Sequence, residues 1–105
     1  MYLTMNHFQV KLGQEAAFEA VWTGRDSHLP SVPGFVAFHL LKGPVQGDHV
    51  LYASHTVWQS AADFKAWTQS EAFRDAHKGA GASRDLYAGP PQLEVFHAVQ
   101  SILPA

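Results

Sequence analysis

No cysteine occurs in the chain, which excludes disulfides, thiolate metal sites, cysteine nucleophiles and iron–sulfur clusters together. Charge is scarce as well. Charged residues make up 15 % of the sequence and sum to a net -2, with no basic run able to follow a phosphate backbone, so no nucleic acid is expected as a partner. No apolar stretch approaches the roughly 20 residues that span a bilayer. The opening Met1-Tyr2-Leu3-Thr4-Met5-Asn6 lacks the basic flank and apolar run of a signal peptide, so a cytoplasmic protein with no membrane contact is expected. A glycine-rich phosphate loop, a dinucleotide fingerprint and a Gly-x-Ser-x-Gly elbow are also missing.

What is present is apolar and aromatic. At 105 residues the chain is sized for a single domain over 1–105, and 47 % hydrophobic residues are enough to bury a core. Seven Phe, three Trp and three Tyr exceed what one small monomer needs, which reserves some of them for a ligand or a partner subunit. Seven histidines are the other unusual feature, because imidazole serves as metal ligand, acid or base.

Along the chain, Tyr2 to Val10 reads as a strand with Tyr2, Thr4, Asn6, Phe8 and Val10 on one side. Gln14 to about Arg25 has the three-and-four spacing of a helix that lies on a sheet through Phe18 and Trp22. Leu29-Pro30-Ser31-Val32-Pro33-Gly34 is a turn, Phe35 to Lys42 a second strand and His49 to Trp58 a third, joined by a hairpin loop of about six residues. Ser60 is placed to cap a second helical region ending near Lys78-Gly79. With about 100° per residue, Phe64 and Phe73 would face opposite sides of a straight helix, so a break is expected near Thr68-Gln69-Ser70, with Ser70 capping the second piece. Gly79 to Pro91 reads as a long loop of the kind that is either a functional lid or disordered, and Leu93 to Val99 as the last strand. The order βαββαβ implies an α+β, ferredoxin-like antiparallel sheet with both helices on one face. Because Phe35-Val36-Ala37-Phe38-His39-Leu40-Leu41 is apolar on both faces, the second face predicts a homodimer with sheet packed on sheet.

Few residues stand out chemically. His7, His39, His49, His55 and His97 fall on strands without a metal-binding spacing and read as solvated or hydrogen-bonded. His77 closes a helix, where it can either lean into a cavity mouth or interact with the terminal carbonyls. Trp67 reads as core or as site. Asn6 puts an amide on a mainly apolar strand face, which costs roughly 1–3 kcal/mol unless a structural hydrogen bond or a ligand answers it.

The stretch TVWQSAADFKAWTQSEAFRDAHKGAG, from Thr56 to Gly81, resembles the IsdG-type heme-degrading monooxygenases of the antibiotic-biosynthesis-monooxygenase superfamily. Asn6 on the first strand and Val32-Pro33-Gly34-Phe35 before the second belong to the same pattern. The resemblance implies a dimeric α+β barrel with one heme per subunit, held between the second helix and the sheet. It implies His77 as the axial iron ligand and so the metal-binding residue, Asn6 as a hydrogen-bond donor at the heme, and Trp67 as the side chain that ruffles the porphyrin. Phe8, Trp58, Phe64 and Phe73 are then candidates for the aromatic slot, and Arg25, Lys78 and Arg84 for the propionates. The implied reaction is oxidative opening of the porphyrin with release of iron. It uses O2 and an external electron donor, a reductase or a small reductant. Two other functions stay open: a cofactor-free monooxygenase of polycyclic or quinol substrates with His77 as general base, and a heme-binding dimeric protein without turnover.

Overall fold

The computed structural model of the chain describes residues 1–25, 28–76 and 85–105. Strands β1 (Tyr2–Lys11), β2 (Phe35–Gln46), β3 (His49–Trp58) and β4 (Gln92–His97) form one antiparallel sheet in the order β2-β3-β1-β4. Helix α1 (Glu15–Thr23) follows β1, and α2 (Ala61–Thr68) and α3 (Glu71–Ala76) follow β3. This is the ferredoxin-like α+β arrangement.

Alternation along β1 puts the helices on one face. Phe8 and Val10 pack with Phe18 of α1 and with Val50 and Tyr52 of β3, while Tyr2 packs with Trp58, Leu29 and the partly buried Phe64 and Trp67 of α2. Tyr2, Phe8 and Val10 share a strand face, so both clusters lie on the same side of the sheet. The Tyr52 hydroxyl donates to Glu19 Oε2 at 2.5 Å and ties α1 to β3. Burial first, and this hydrogen bond second, push the Tyr52 phenol far above its ordinary pKa.

The second helical region breaks where the two phenylalanines require it. Ser60 caps α2 by accepting from the Asp63 amide at 3.2 Å, and α2 ends at Thr68. Ser70 then accepts from the Phe73 amide at 3.1 Å and starts α3 in a new direction. Gly34, with φ +82°, turns the chain into β2, and its carbonyl accepts from the Gln59 amide at 2.9 Å.

The β2–β3 hairpin departs from the expected loop of about six residues. β2 continues to Gln46, and only Gly47-Asp48 form the turn, with Gly47 at φ +65°. An irregularity between Lys42 and Val45 absorbs Gly43-Pro44, so a proline that cannot donate to a ladder bends the strand without ending it. β4 ends at His97, short of the expected Val99. Of the long loop, residues 79–84 lie outside the described residues. Its second half is tied down: Tyr87 bridges to Val10, its ring stacks on Phe8 at 5.9 Å, and the Ala88 amide donates to the Gln9 carbonyl at 2.7 Å.

Candidate functional site

The helix-side face of the sheet is apolar at both ends and polar in the middle. On β1 the sequence is Tyr2, Thr4, Asn6, Phe8, Val10, and on β3 it is Val50, Tyr52, Ser54, Thr56, Trp58. The register sets Thr4 opposite Thr56 and Asn6 opposite Ser54, so four polar side chains meet in one patch. Over this patch lies a cavity of about 280 Å³ that all four line. Thr4 and Ser54 are buried, and Asn6 Oδ1 is buried with no hydrogen-bond partner among the described residues. An acceptor left in that state costs about 1–3 kcal/mol, which a ligand donor would recover.

The walls are aromatic. Phe64 and Trp67 come from α2 and Phe73 from α3, and the break between the helices brings the Trp67 and Phe73 rings to 4.8 Å in a T-shaped contact. Across the cavity stand Trp22 of α1 and Phe38 of β2, nearly parallel at 5.8 Å and 17°. Arg25, just beyond α1, lays its guanidinium 4.4 Å over the Trp22 ring. It is the one charged side chain among the described residues lining the cavity. Burial lowers its pKa, which the nearby Tyr87 partly opposes.

Asn6, Trp67, Phe64, Phe73 and Arg25 thus line one cavity. Phe8 and Trp58 do not. Phe8 lies two register pairs beyond Asn6, under α1 and packed on Phe18, and Trp58 is fully buried beneath Phe64 and Trp67. His77, Lys78 and Arg84 lie outside the described residues. Sequence reasoning missed Trp22 and Phe38 as wall and Ser54 and Thr56 as floor. The readable signal for the floor was the pair of polar interruptions, Thr4 with Asn6 and Ser54 with Thr56, at alternate positions of two otherwise apolar strand faces.

The strand histidines lie away from this cavity. His39 and His55 face each other at 6.3 Å, and His7 Nε2 meets Glu94 Oε1 at 2.6 Å, on the sheet face away from the helices. Among the described residues no three His, Asp or Glu side chains gather to hold a metal ion. Nor is any described helix long and apolar enough to cross a membrane.

A ferredoxin-like sheet carrying its helices on one face, with an aromatic-walled, polar-floored cavity between helices and sheet, places the chain among the small ferredoxin-like α+β folds. Residues 1–79 match the family model described as antibiotic biosynthesis monooxygenase, and the chain belongs to that family. It is 39 % identical over 56 residues to a heme-degrading monooxygenase of Shouchella clausii, covering 53 % of this chain and 52 % of that protein. It is 29 % identical over 79 residues to a staphylobilin-producing heme oxygenase of Staphylococcus saprophyticus, covering 75 % of each. The matched stretch therefore spans about half the length of the first relative and three quarters of the second. Among solved structures, the heme-degrader MhuD of Mycobacterium tuberculosis, with two hemes bound in its active site, superposes with a TM-score of 0.71. It shares 26 % identity and covers 97 % of this chain and 99 % of that one.

Proposed function

We propose that the chain is a heme-degrading monooxygenase, which opens the porphyrin ring oxidatively with O2 and electrons from an external donor and releases iron. The observation that carries this reading is the cavity over the sheet, floored by Thr4, Asn6, Ser54 and Thr56 and walled by Trp22, Phe38, Phe64, Trp67 and Phe73. A flat apolar ring with polar or charged edges fits such a slot: the aromatic walls take its faces and exclude water, and the floor and Arg25 meet its polar groups. Heme, when bound, supplies the redox-active iron.

The residues of this chain have separable tasks. Asn6 has two amide N–H donors as well as the unpartnered oxygen, so it can orient a polar group lying on the floor. Trp67 presses on the ring from the α2 side, backed by Trp58 at 5.4 Å, which limits its retreat. Arg25 holds a carboxylate. The iron would be held by His77, a role carried over from the family resemblance. The open sheet face is covered by a second copy, making the working unit a homodimer. Support comes from the cavity's chemistry, from the heme-degrading relatives and from the likeness to MhuD.

Titration of hemin into the purified chain tests the reading. A Soret band saturating near one equivalent is expected, bleached in air by ascorbate with release of chelatable iron. His77→Ala should weaken the band and stop the bleaching. No saturable band would turn the assignment toward a cofactor-free oxygenase, and a band stable to ascorbate toward a heme-binding protein without turnover.

A further inference from the structure

On the sheet face turned away from the helices, the middle row runs His39, His55, Met5 and Glu94 from β2 across to β4. The flanking positions on β2 and β3 are apolar, Ala37 beside Val57 and Leu41 beside Ala53, so two imidazoles interrupt an otherwise greasy surface. Their rings stand 6.3 Å apart between centroids and are tilted by 37°. Two imidazoles that share one metal ion stand about 5–6 Å apart between centroids, because each metal–nitrogen bond is about 2 Å long. A small side-chain rotation therefore brings both rings onto one ion. Neither imidazole makes a hydrogen bond or an ion pair with a described residue, so both keep nitrogen lone pairs to offer.

Met5 supplies a third donor. The register sets it directly opposite His55, on the side away from His39, where facing side chains start about 5 Å apart. Glu94, next in the row, is already paired with His7 at 2.6 Å. What is left is two imidazoles and a thioether, a neutral and soft donor set without thiolate or free carboxylate. A divalent ion would bring two charges onto this apolar face with no unpaired anion to answer them. Copper(I) brings one, and it accepts thioether sulfur where zinc and magnesium do not. Sequence spacing hides the set, since its three members lie on three different strands.

We infer that His39, His55 and Met5 form a copper(I) site on the outer face of the sheet, with the imidazoles as its principal ligands and the Met5 thioether as the third. The site lies across the sheet from the cavity and stands whether or not the heme reading does. A second copy packed on this face would enclose the ion and slow its entry without changing the donors, so the titration is read at equilibrium.

The experiment titrates copper(I), kept reduced by ascorbate under argon, into the intact chain with ferrozine as coloured competitor. The wild type should withdraw one equivalent per chain. His39→Gln and His55→Gln should each weaken that binding at least tenfold, since even groups that merely support a metal ligand cost about ten- to a hundredfold when removed. His39 is exposed, so its variant should keep the fold, which thermal melts check. His7→Gln, outside the donor set, should change the affinity less than twofold. X-ray absorption at the copper edge should show a sulfur neighbour in the wild type and only nitrogen or oxygen neighbours in Met5→Leu. Copper left entirely with ferrozine, or bound equally well by the double variant His39→Gln with His55→Gln, would overturn the site. A sulfur neighbour that survives in Met5→Leu would overturn the three-donor set.

Discussion

Gly34 and Asp63 compete for the same space: a β-carbon built on Gly34 would lie 2.2 Å from Asp63 Cγ and 2.5 Å from its Cβ. Asp63 sits in the first turn of α2, where its amide and carboxylate both bond to Ser60. The turn before β2 is thereby docked onto the N-terminus of the helix that carries Trp67. Gly34→Ala should cost about 2–4 kcal/mol, from the positive φ plus displacement of Asp63. In a chain of this size the melting temperature should fall by about 10 °C or more, readable by circular dichroism. A loss under about 2 °C would mean that the turn and α2 are not coupled.

Tyr52 and Glu19 make the corresponding tie for α1, and it has a pH signature. The folded-state pKa of Tyr52 is raised, chiefly by burial and then by Glu19. Its contribution to stability is therefore full below the unfolded value near pH 10 and is lost progressively above it, as the unfolded chain ionises and the folded one resists. Urea unfolding should show stability falling between about pH 10 and 11, with a shallower fall in Tyr52→Phe. Below pH 9 the variant should lose about 1 kcal/mol for the missing hydrogen bond. Equal slopes above pH 10 in the two proteins would remove Tyr52 as the source.

Much of this architecture was legible because it rests on local periodicity. The alternation of Tyr2, Thr4, Asn6, Phe8 and Val10 marked the buried face of β1, and the conflict between Phe64 and Phe73 on one straight helix marked the break at Ser70. The hairpin was less legible, since Gly43-Pro44 reads as a stop unless the partner strand is known to accept a bulge. Residue type alone could not separate cavity wall from core. Phe8 and Phe64 are chemically identical, and only what lies above each one, Phe18 and α1 in the first case and open space in the second, distinguishes them. Trp22 was missed as wall because its site character comes from a stack with Phe38, a residue on another strand.

Asn6 separates stability from activity. Its buried oxygen contributes no hydrogen bond within the described residues, so Asn6→Ala should leave the unfolding free energy unchanged or raise it by less than about 1 kcal/mol. If the heme reading holds, hemin affinity should change less than about threefold while the ascorbate-driven bleaching slows at least tenfold, since a group that orients the reacting ligand contributes more to rate than to affinity. Stopped-flow absorbance at the Soret band, with thermal melts alongside, gives both numbers. A variant that bleaches normally but melts several degrees lower would place Asn6 in the structural frame instead.

The face of the sheet turned away from the helices makes the last prediction. The register aligns Ala37, Val57, Leu3 and Phe96 in one row, His39, His55, Met5 and Glu94 in the next, and Leu41, Ala53, His7 and Gln92 in a third. In these three rows Glu94 is the only acidic side chain and is paired with His7, and no Lys or Arg occurs. No described helix packs there, and Leu41 and Phe96 remain 42 % and 48 % exposed. Such a surface is disfavoured in water, and its near-neutral rows meet their own copy across a two-fold axis without charge repulsion. Sedimentation equilibrium should therefore give twice the chain mass of 11.5 kDa. The double variant Leu41→Lys with Phe96→Lys should sediment as a single chain, because the symmetric contact would then bring four lysines into one apolar interface. A wild-type chain that sediments as a monomer at micromolar concentration would show that this face is not covered by a second copy.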